Sequence, residues 1–313
     1  MKFIADLKEG ERVADIYLCK SLTHATTKNG KPYDSVLLQD KTGTIDAKIW
    51  EVTGAGIEDF EPLDFVMIGG EVTSFGGALQ INVRRARKAY EKEYEPENYL
   101  PVSERNPEEM WQELLAHIGT VKNPHLNALL KAFFVDDAAF IAKFKKSSAA
   151  KNVHHNFIGG LLEHTLGVAV LCDFFAARYP MLKRDLLLSS ALLHDIGKVK
   201  ELSDFPMNDY TDDGNFLGHI YIGCEMIAEK LSAMPDFPPL LATQLKHCIL
   251  AHHGEYEFGS PKKPELAEAL ALHFADNMDA KMETLKELFE HSQGDGFLGW
   301  QKLFESNMAK TRL

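Results

Sequence analysis

The chain has 313 residues, of which 45% are hydrophobic and 26% are charged, and its formal net charge is -12. This composition is typical of a globular protein with room for two domains, and its acidic balance argues against a general nucleic-acid coat. Met1–Lys8 lack the apolar stretch of a signal peptide, and no apolar run approaches the roughly 20 residues of a membrane span. The scattered cysteines predict reduced thiols, so we expect a cytoplasmic protein with no membrane partner.

The first part of the chain, from about residue 12 to 88, reads as short β-strands separated by strong turn signals. Between the third and fourth strands, Glu51–Phe60 fits either a short helix or a loop. Five strands with a connection at this place are the layout of an OB-fold, a small all-β barrel, here assigned to residues 1–90. The predicted strands are Val13–Leu22, Tyr33–Gln39, Thr44–Trp50, Asp64–Phe75 and Ala78–Arg87.

The segment Val36–Trp50 also resembles the hairpin of strands 2 and 3 in OB-fold proteins that bind single-stranded nucleic acid. Such domains stack bases on aromatic side chains and follow the phosphates with basic ones. Each aromatic residue could instead fill the core of the small barrel. The basic run Arg84–Lys88 is a local cluster that could contact a polyanion despite the acidic net charge. The candidate contacts are Tyr33, Lys48, Trp50, Phe75 and Arg84.

Residues 91–107 are rich in Glu and Pro and have no apolar period, so we interpret them as a linker. From Glu108 the period becomes helical, with Met110, Leu114 and Ile118 on one face. The remainder reads as a succession of helices with no clear strand. We therefore expect an all-α domain over residues 108–313.

The helical part carries an ordered set of metal-ligand residue types, each in an apolar, helix-like stretch. A lone His-Asp pair is a weak signal, but burying this many ionisable groups without a metal would be costly. Seven candidates are too many for one ion, so we expect two divalent metal ions, with Mn, Fe, Co, Ni, Zn and Mg all compatible. Gly197 follows the adjacent pair His194 and Asp195 and fits a residue that ends a helix at its C-terminus. The candidates are His164, His194, Asp195, His219, His252, His253 and Asp276.

The order of these residues, with Leu192–Lys198 as the central signature, resembles the HD-domain superfamily of metal-dependent phosphohydrolases over about residues 150–290. The resemblance implies that Asp195 bridges two metals. It implies a first metal held also by His164, His194 and Asp276, and a second held also by His219 and by either His252 or His253.

The combination of an OB-fold with this HD domain, together with His154–Thr165, Leu217–Ile220 and His252–Gly254, resembles the YhaM family of 3′–5′ exoribonucleases. That resemblance implies two metals, with Mn as the first choice, and hydrolysis of single-stranded RNA to 5′-mononucleotides, with single-stranded DNA as a second candidate. Asp195 would hold the metals that activate water. The sequence leaves the oligomeric state open, a homo-oligomer included.

Three further side chains have two interpretations each. Lys198 either meets the scissile phosphate or complements a helix C-terminus. His154 and His155 either line the substrate path or support a ligand.

Other functions also remain open for the chain: an HD-domain nucleotide or cyclic-nucleotide phosphohydrolase, a non-catalytic single-strand-binding protein, and a di-iron oxygenase.

Overall fold

The computed structural model describes residues 1–151, 155–292, 294 and 296–312. The chain forms two compact units. The first comprises Met1–Pro101 with Phe205–Met207, and the second comprises Val102–Asp204 with Asn208–Leu313.

The first unit is a closed five-stranded barrel with the strand order β1-β2-β3-β5-β4. All neighbouring strands are antiparallel except β3 and β5, which run parallel. This is the predicted OB-fold topology. The strands are β1 (Arg12–Thr26), β2 (Pro32–Asp40), β3 (Gly43–Ile49), β4 (Phe65–Phe75) and β5 (Ala78–Lys88).

The barrel follows directly from the alternation in the sequence. In β3, Ile45, Ala47 and Ile49 are buried, whereas Thr44 and Asp46 are exposed. Because successive side chains of a strand point to opposite faces, one face of this strand fills the barrel core. The connection between β3 and β4 contains turns and no helix.

The first unit extends past the expected boundary at residue 90. The ring of Tyr94 stacks on Phe65 with 3.9 Å between centroids, and Tyr99 packs edge-on against the same ring at 5.2 Å. Two aromatic residues in an otherwise polar stretch thus attach it to the barrel, although the stretch has no apolar period.

The second unit is mainly helical, and its first two helices each begin after a capping asparagine. Asn106 and Asn123 accept hydrogen bonds from backbone N–H groups of α1 and α2, and a proline follows each of them. The helices are α1 (Pro107–Thr120), α2 (Pro124–Phe134), α3 (Ala138–Phe144), α4 (Gly160–Arg178), α5 (Arg184–Leu193), α6 (Lys198–Glu201), α7 (Asp212–Phe216), α8 (Gly218–Ser232), α9 (Pro239–Leu250) and α10 (Ala267–His291).

Helix α4 packs against α1, α5 and α10. By length and composition alone it could cross a membrane, with a mean hydropathy of 1.4, and half of that window is buried inside the protein. The expectation that no apolar run approaches the length of a membrane span is therefore wrong for α4. Its apolar character matches its packing among other helices.

The expectation of no strand after residue 108 is also wrong. Phe297–Gln301 (β6) pairs antiparallel with Ser306–Ala309 (β7). Both strands are short and contain no buried residue, so they lack the buried period-2 pattern that identifies a strand.

Candidate metal centre

All seven predicted ligands converge in the second unit. Most of them lie at helix ends, where the chain can turn a side chain toward a common centre. His164 lies in the second turn of α4, and Asp276 lies inside α10. The others are His194 and Asp195 just after α5, His219 at the start of α8, and His252 and His253 just after α9.

His164, His194 and Asp276 form a first ligand group beside one oxygen of Asp195. Nε2 of His164 lies 3.5 Å from Asp195 Oδ2 and 3.1 Å from Asp276 Oδ1. Nε2 of His194 lies 3.4 Å and 3.8 Å from the same two oxygens. The three members offer ligand atoms that all lie within 4.8 Å of one another.

His219, His252 and His253 form a second ligand group beside the other oxygen of Asp195. Asp195 Oδ1 lies 3.4 Å from Nε2 of His219 and 3.7 Å from Nε2 of His252. The three imidazoles again offer atoms within 4.8 Å of one another. One carboxylate therefore faces both groups, with one oxygen toward each.

Three atoms at this centre are suited to a cation. Among the described residues, Asp195 Oδ1, His219 Nε2 and His252 Nε2 are buried without a hydrogen-bond partner. Such atoms are costly to bury, and a carboxylate oxygen with two imidazole nitrogens is a common ligand set for a divalent metal. The residues present thus fit a metal between Asp195 and the second ligand group.

Carboxylates hold one ring in each group from behind. Nδ1 of His164 donates to Asp279 Oδ2 at 2.7 Å, and Nδ1 of His219 donates to Glu201 Oε1 at 2.8 Å. Each bond turns Nε2 of its ring toward Asp195. Carboxylate–histidine pairs of this kind orient metal ligands and increase their basicity.

Backbone carbonyls hold the other three rings. Because a carbonyl only accepts, each of these rings carries its proton on Nδ1 and leaves Nε2 as an acceptor or ligand. The pairs are His194 with Ala191 O at 2.7 Å, His252 with Ile249 O at 2.7 Å, and His253 with Phe258 O at 2.8 Å.

The charges of the centre are set by burial and by these contacts. Burial would raise the pKa of the Asp195 carboxyl, but the Lys198 ammonium beside it opposes this effect, and the pKa lies well below its usual range. Burial also opposes ionisation of Asp279, yet hydrogen bonds from His155 and His164 lower its pKa to about 2. Burial lowers the pKa of His252, which keeps this ring neutral. Ionised carboxylates beside a neutral imidazole are the forms that bind metals.

Gly197 has a different role from the predicted helix breaker. Its backbone is right-handed, with φ -63°. A Cβ built on it would lie 2.0 Å from the carbonyl oxygen of His219 and 2.7 Å from the backbone nitrogen of Gly223. The glycine thus allows the chain after Asp195 to approach α8. Gly167 has a similar role in α4, because a Cβ there would lie 2.0 Å from Asp279 Oδ1.

Lys198 points into the centre. Its Nζ lies 2.9 Å from Asp195 Oδ2 and donates to the carbonyl oxygen of Ala149 at 2.5 Å. Neither partner is a terminal carbonyl of a helix. Lys198, Asp195, Asp276 and His219 all line one cavity of about 300 Å³.

The two histidines before α4 differ in what the structure says of them. His154 lies outside the described residues. His155 is buried, and its Nε2 lies 3.1 Å from Asp279 Oδ2. It therefore contacts the carboxylate behind His164, and the described wall of the cavity does not include it.

On the barrel, two predicted contacts form an aromatic pair. The rings of Tyr33 and Trp50 stack with 4.9 Å between centroids and an interplanar angle of 29°. Trp50 is 47% exposed, and its Nε1 donates to Asn82 Oδ1 at 3.1 Å. Trp50 is thus a surface residue and not a core one. Lys48 is less available, because its Nζ donates to Ser35 Oγ at 2.6 Å.

The remaining barrel candidates are also exposed. Arg84 lines one surface cavity with Trp50 and Asn82. Phe75, at the end of β4, is 76% exposed. Within the basic run, Arg87 and Lys88 are ion-paired to Glu93 and Asp64.

Sequence reasoning missed the residues that support the ligands. Asp279 lies three residues after Asp276, on the same face of α10, and that spacing is a usable signal. Glu201 belongs to a helix of only four residues, where no period can be read. On the barrel, Asn82 of β5 accepts a hydrogen bond from Trp50, and nothing in the sequence around Asn82 marks it for this role.

Comparison with known proteins agrees with this geometry. The HD domain family matches residues 161–281. The 3′-5′ exoribonuclease YhaM of Bacillus subtilis (strain 168) is 36% identical over 283 residues, which cover 90% of this chain and 88% of that protein. The protein of the same name from Listeria monocytogenes serotype 4b (strain CLIP80459) is 34% identical, with 95% and 94% covered.

Among solved structures, the second OB-fold domain of replication protein A from Methanococcus maripaludis is 21% identical and covers 30% of this chain and 98% of that domain. The TM-score of this comparison is 0.24.

Proposed function

The chain belongs to the YhaM family of 3′-5′ exoribonucleases, and from this membership we propose that it is a metal-dependent enzyme that removes 5′-mononucleotides from the 3′ end of single-stranded RNA. The observation that carries the proposal is the position of Asp195. Its two oxygens face two separate ligand groups, and Asp195 Oδ1 is a buried atom without a hydrogen-bond partner among the described residues.

In this proposal two divalent ions are held by the two ligand groups, with Asp195 shared between them. When bound, such a pair polarises a phosphate and lowers the pKa of a water molecule toward neutrality. We propose Mn, because a mixture of imidazoles and carboxylates suits it; Fe, Co, Ni, Zn and Mg are the alternatives to be compared.

Side chains of the protein position the candidate metal ligands and place a positive charge near the phosphate. Asp279 and Glu201 fix the rings of His164 and His219, so that the ligand atoms are in place before substrate arrives. Lys198 brings a positive charge to the same cavity wall as Asp195, where it stabilises negative charge that develops on the phosphate.

We assign strand binding to the barrel, through the face that carries Tyr33, Trp50 and Arg84. The exposed Trp50, stacked on a half-buried Tyr33 and beside a basic side chain, suits stacked bases and their phosphates. Trp50→Ala should weaken binding of a long single strand by about 1–3 kcal/mol. The exposed Trp300, in the other unit, offers a matched Trp300→Ala control.

The free cysteines, three of which are buried, support a reducing compartment, and we propose a cytoplasmic location.

The function is tested with one RNA labelled at either end and incubated with the Mn-loaded protein. The proposal expects a ladder from the 5′-labelled strand and an immediate 5′-mononucleotide from the 3′-labelled strand. Internal fragments or release of nucleotides from the 5′ end would each contradict it. So would an intact RNA strand in a protein that hydrolyses free nucleotides added in a parallel reaction. The same strand as DNA measures the preference between the two nucleic acids.

A further inference from the structure

Two aromatic side chains line the cavity of the metal centre, although metal ligation does not need them. Tyr210 and Phe258 come from separate segments and share this cavity with Asp195 and Asp276. They are 45% and 62% exposed. Covering such exposed ring surface with a flat apolar group removes it from water, which lowers the free energy.

Phe258 is fixed next to the second ligand group. Its carbonyl oxygen accepts from Nδ1 of His253 at 2.8 Å, and its backbone N–H donates to the carbonyl of Glu255 at 3.1 Å. Gly259 follows with a left-handed φ of 81° and closes the turn. The backbone that carries the ring is therefore tied to a candidate metal ligand.

Tyr210 is held together with a cation. Asp209 Oδ1 accepts from the backbone N–H of Tyr210 at 2.7 Å and from Nζ of Lys151 at 2.5 Å. Nζ of Lys151 lies 5.6 Å from the centre of the Tyr210 ring, and Lys151 lines the same cavity. An aromatic face and an ammonium group side by side match a ligand that has both a flat ring and a phosphate.

We propose that Tyr210 and Phe258 form a base subsite, which holds the nucleobase of the 3′-terminal nucleotide by stacking, with Lys151 beside it for a phosphate of the strand. This inference rests on the proposed function. A cavity of about 300 Å³ is large enough for a small ligand. Stacking also suits an enzyme that meets every base in turn, because each base has a π-face.

Binding tests the subsite without catalysis. The probes are 5′-AMP and ribose 5-phosphate, titrated calorimetrically into the Mn-loaded full chain. We expect 5′-AMP to bind roughly 5- to 150-fold more tightly, which is the range for stacking one base. Phe258→Ala and Tyr210→Ala should each remove most of this preference while leaving the affinity for ribose 5-phosphate unchanged.

A matched control is available for each substitution. Phe174 is 64% exposed and Tyr179 is 48% exposed, and neither lines the described cavity. Phe174→Ala and Tyr179→Ala should keep the preference for 5′-AMP. Equal binding of the two probes by the wild type, or an equal preference in the cavity variants and the controls, would overturn the base subsite.

Kinetics provide a second test with two RNAs that differ only at the 3′-terminal residue, an adenosine or an abasic ribose. In single-turnover release of that residue, Phe258→Ala should raise the half-saturating enzyme concentration for the adenosine end and not for the abasic end. An equal effect on both strands would argue against the subsite.

The two proposals fail separately. RNA cleavage without a preference for 5′-AMP removes the subsite and leaves the exoribonuclease. A preference for 5′-AMP that the cavity variants lose, in a protein that leaves RNA intact, keeps the subsite and removes the exoribonuclease.

Discussion

Asp279 holds the imidazole of His164 from behind, with Oδ2 2.7 Å from Nδ1. The other ring nitrogen, Nε2, faces Asp195 and Asp276 at 3.5 Å and 3.1 Å. The same carboxylate also lies 3.1 Å from Nε2 of His155. One side chain of α10 thus decides which nitrogen of His164 is offered to a metal.

Asp279→Asn tests this relationship. The amide keeps the volume but loses the charge that makes the His164 ring more basic. We expect metal affinity at the first ligand group to fall about 10- to 100-fold, as measured by calorimetric titration with Mn. Asp236→Asn, at an exposed position, is the control and should bind as the wild type does. Unchanged affinity in Asp279→Asn would show that the pair does not position the ligand.

Asp195→Ala should remove hydrolysis, because each of its oxygens faces a different ligand group. The expected loss in turnover is several orders of magnitude, with reduced metal content by elemental analysis. Strand affinity should stay close to wild type, because the proposed strand contacts belong to the barrel. Asp195→Asn, which conserves volume, separates loss of charge from loss of packing. Near-normal turnover in either variant is incompatible with a shared carboxylate.

Lys198→Met keeps the aliphatic stem of the side chain and removes its charge. If the ammonium meets the phosphate in the transition state, the activation free energy should rise by about 2–4 kcal/mol, so turnover falls while the metal content changes little. Lys200→Met, at an exposed neighbouring lysine, should leave turnover unchanged. A lower melting temperature with normal turnover would instead assign Lys198 a structural role through Ala149.

Gly197→Ala should destabilise the second unit. The added Cβ meets backbone atoms of α8 at 2.0 Å and 2.7 Å, and backbone cannot move as a flexible side chain does. We expect a loss of about 3 kcal/mol in the free energy of unfolding, measured by denaturant titration. Gly119→Ala in α1, where nothing lies within 4 Å, should gain about 0.4–1 kcal/mol. Equal stability of the two variants would contradict the close approach.

The sequence predicts the barrel and the ligands for different physical reasons. The strands are readable because burial alternates within a few residues, as at Ile45, Ala47 and Ile49. The candidate ligands are readable because histidines and aspartates inside apolar helices, such as His164 and Asp276, have few stable uses other than metal binding.

What could not be predicted depends on contacts between distant positions. Asp279 acquires its role only where α10 crosses α4, opposite the bare backbone of Gly167. Tyr94 is one aromatic residue in a polar stretch until Phe65 meets it. Tyr210 and Phe258 lie 48 positions apart in the numbering and share a cavity only after folding.

The spread of the candidate ligands along the chain also has a thermodynamic consequence for unfolding. His164 and Asp276 belong to α4 and α10, and three further segments between them supply the rest. The unfolded chain separates these segments, so a cation bound at the centre acts as a reversible cross-link of the folded state alone. By mass action, each tenfold rise in free ion above its dissociation constant adds about 1.4 kcal/mol to the unfolding free energy for each such site. The melting temperature of this protein should therefore vary with the concentration of free metal.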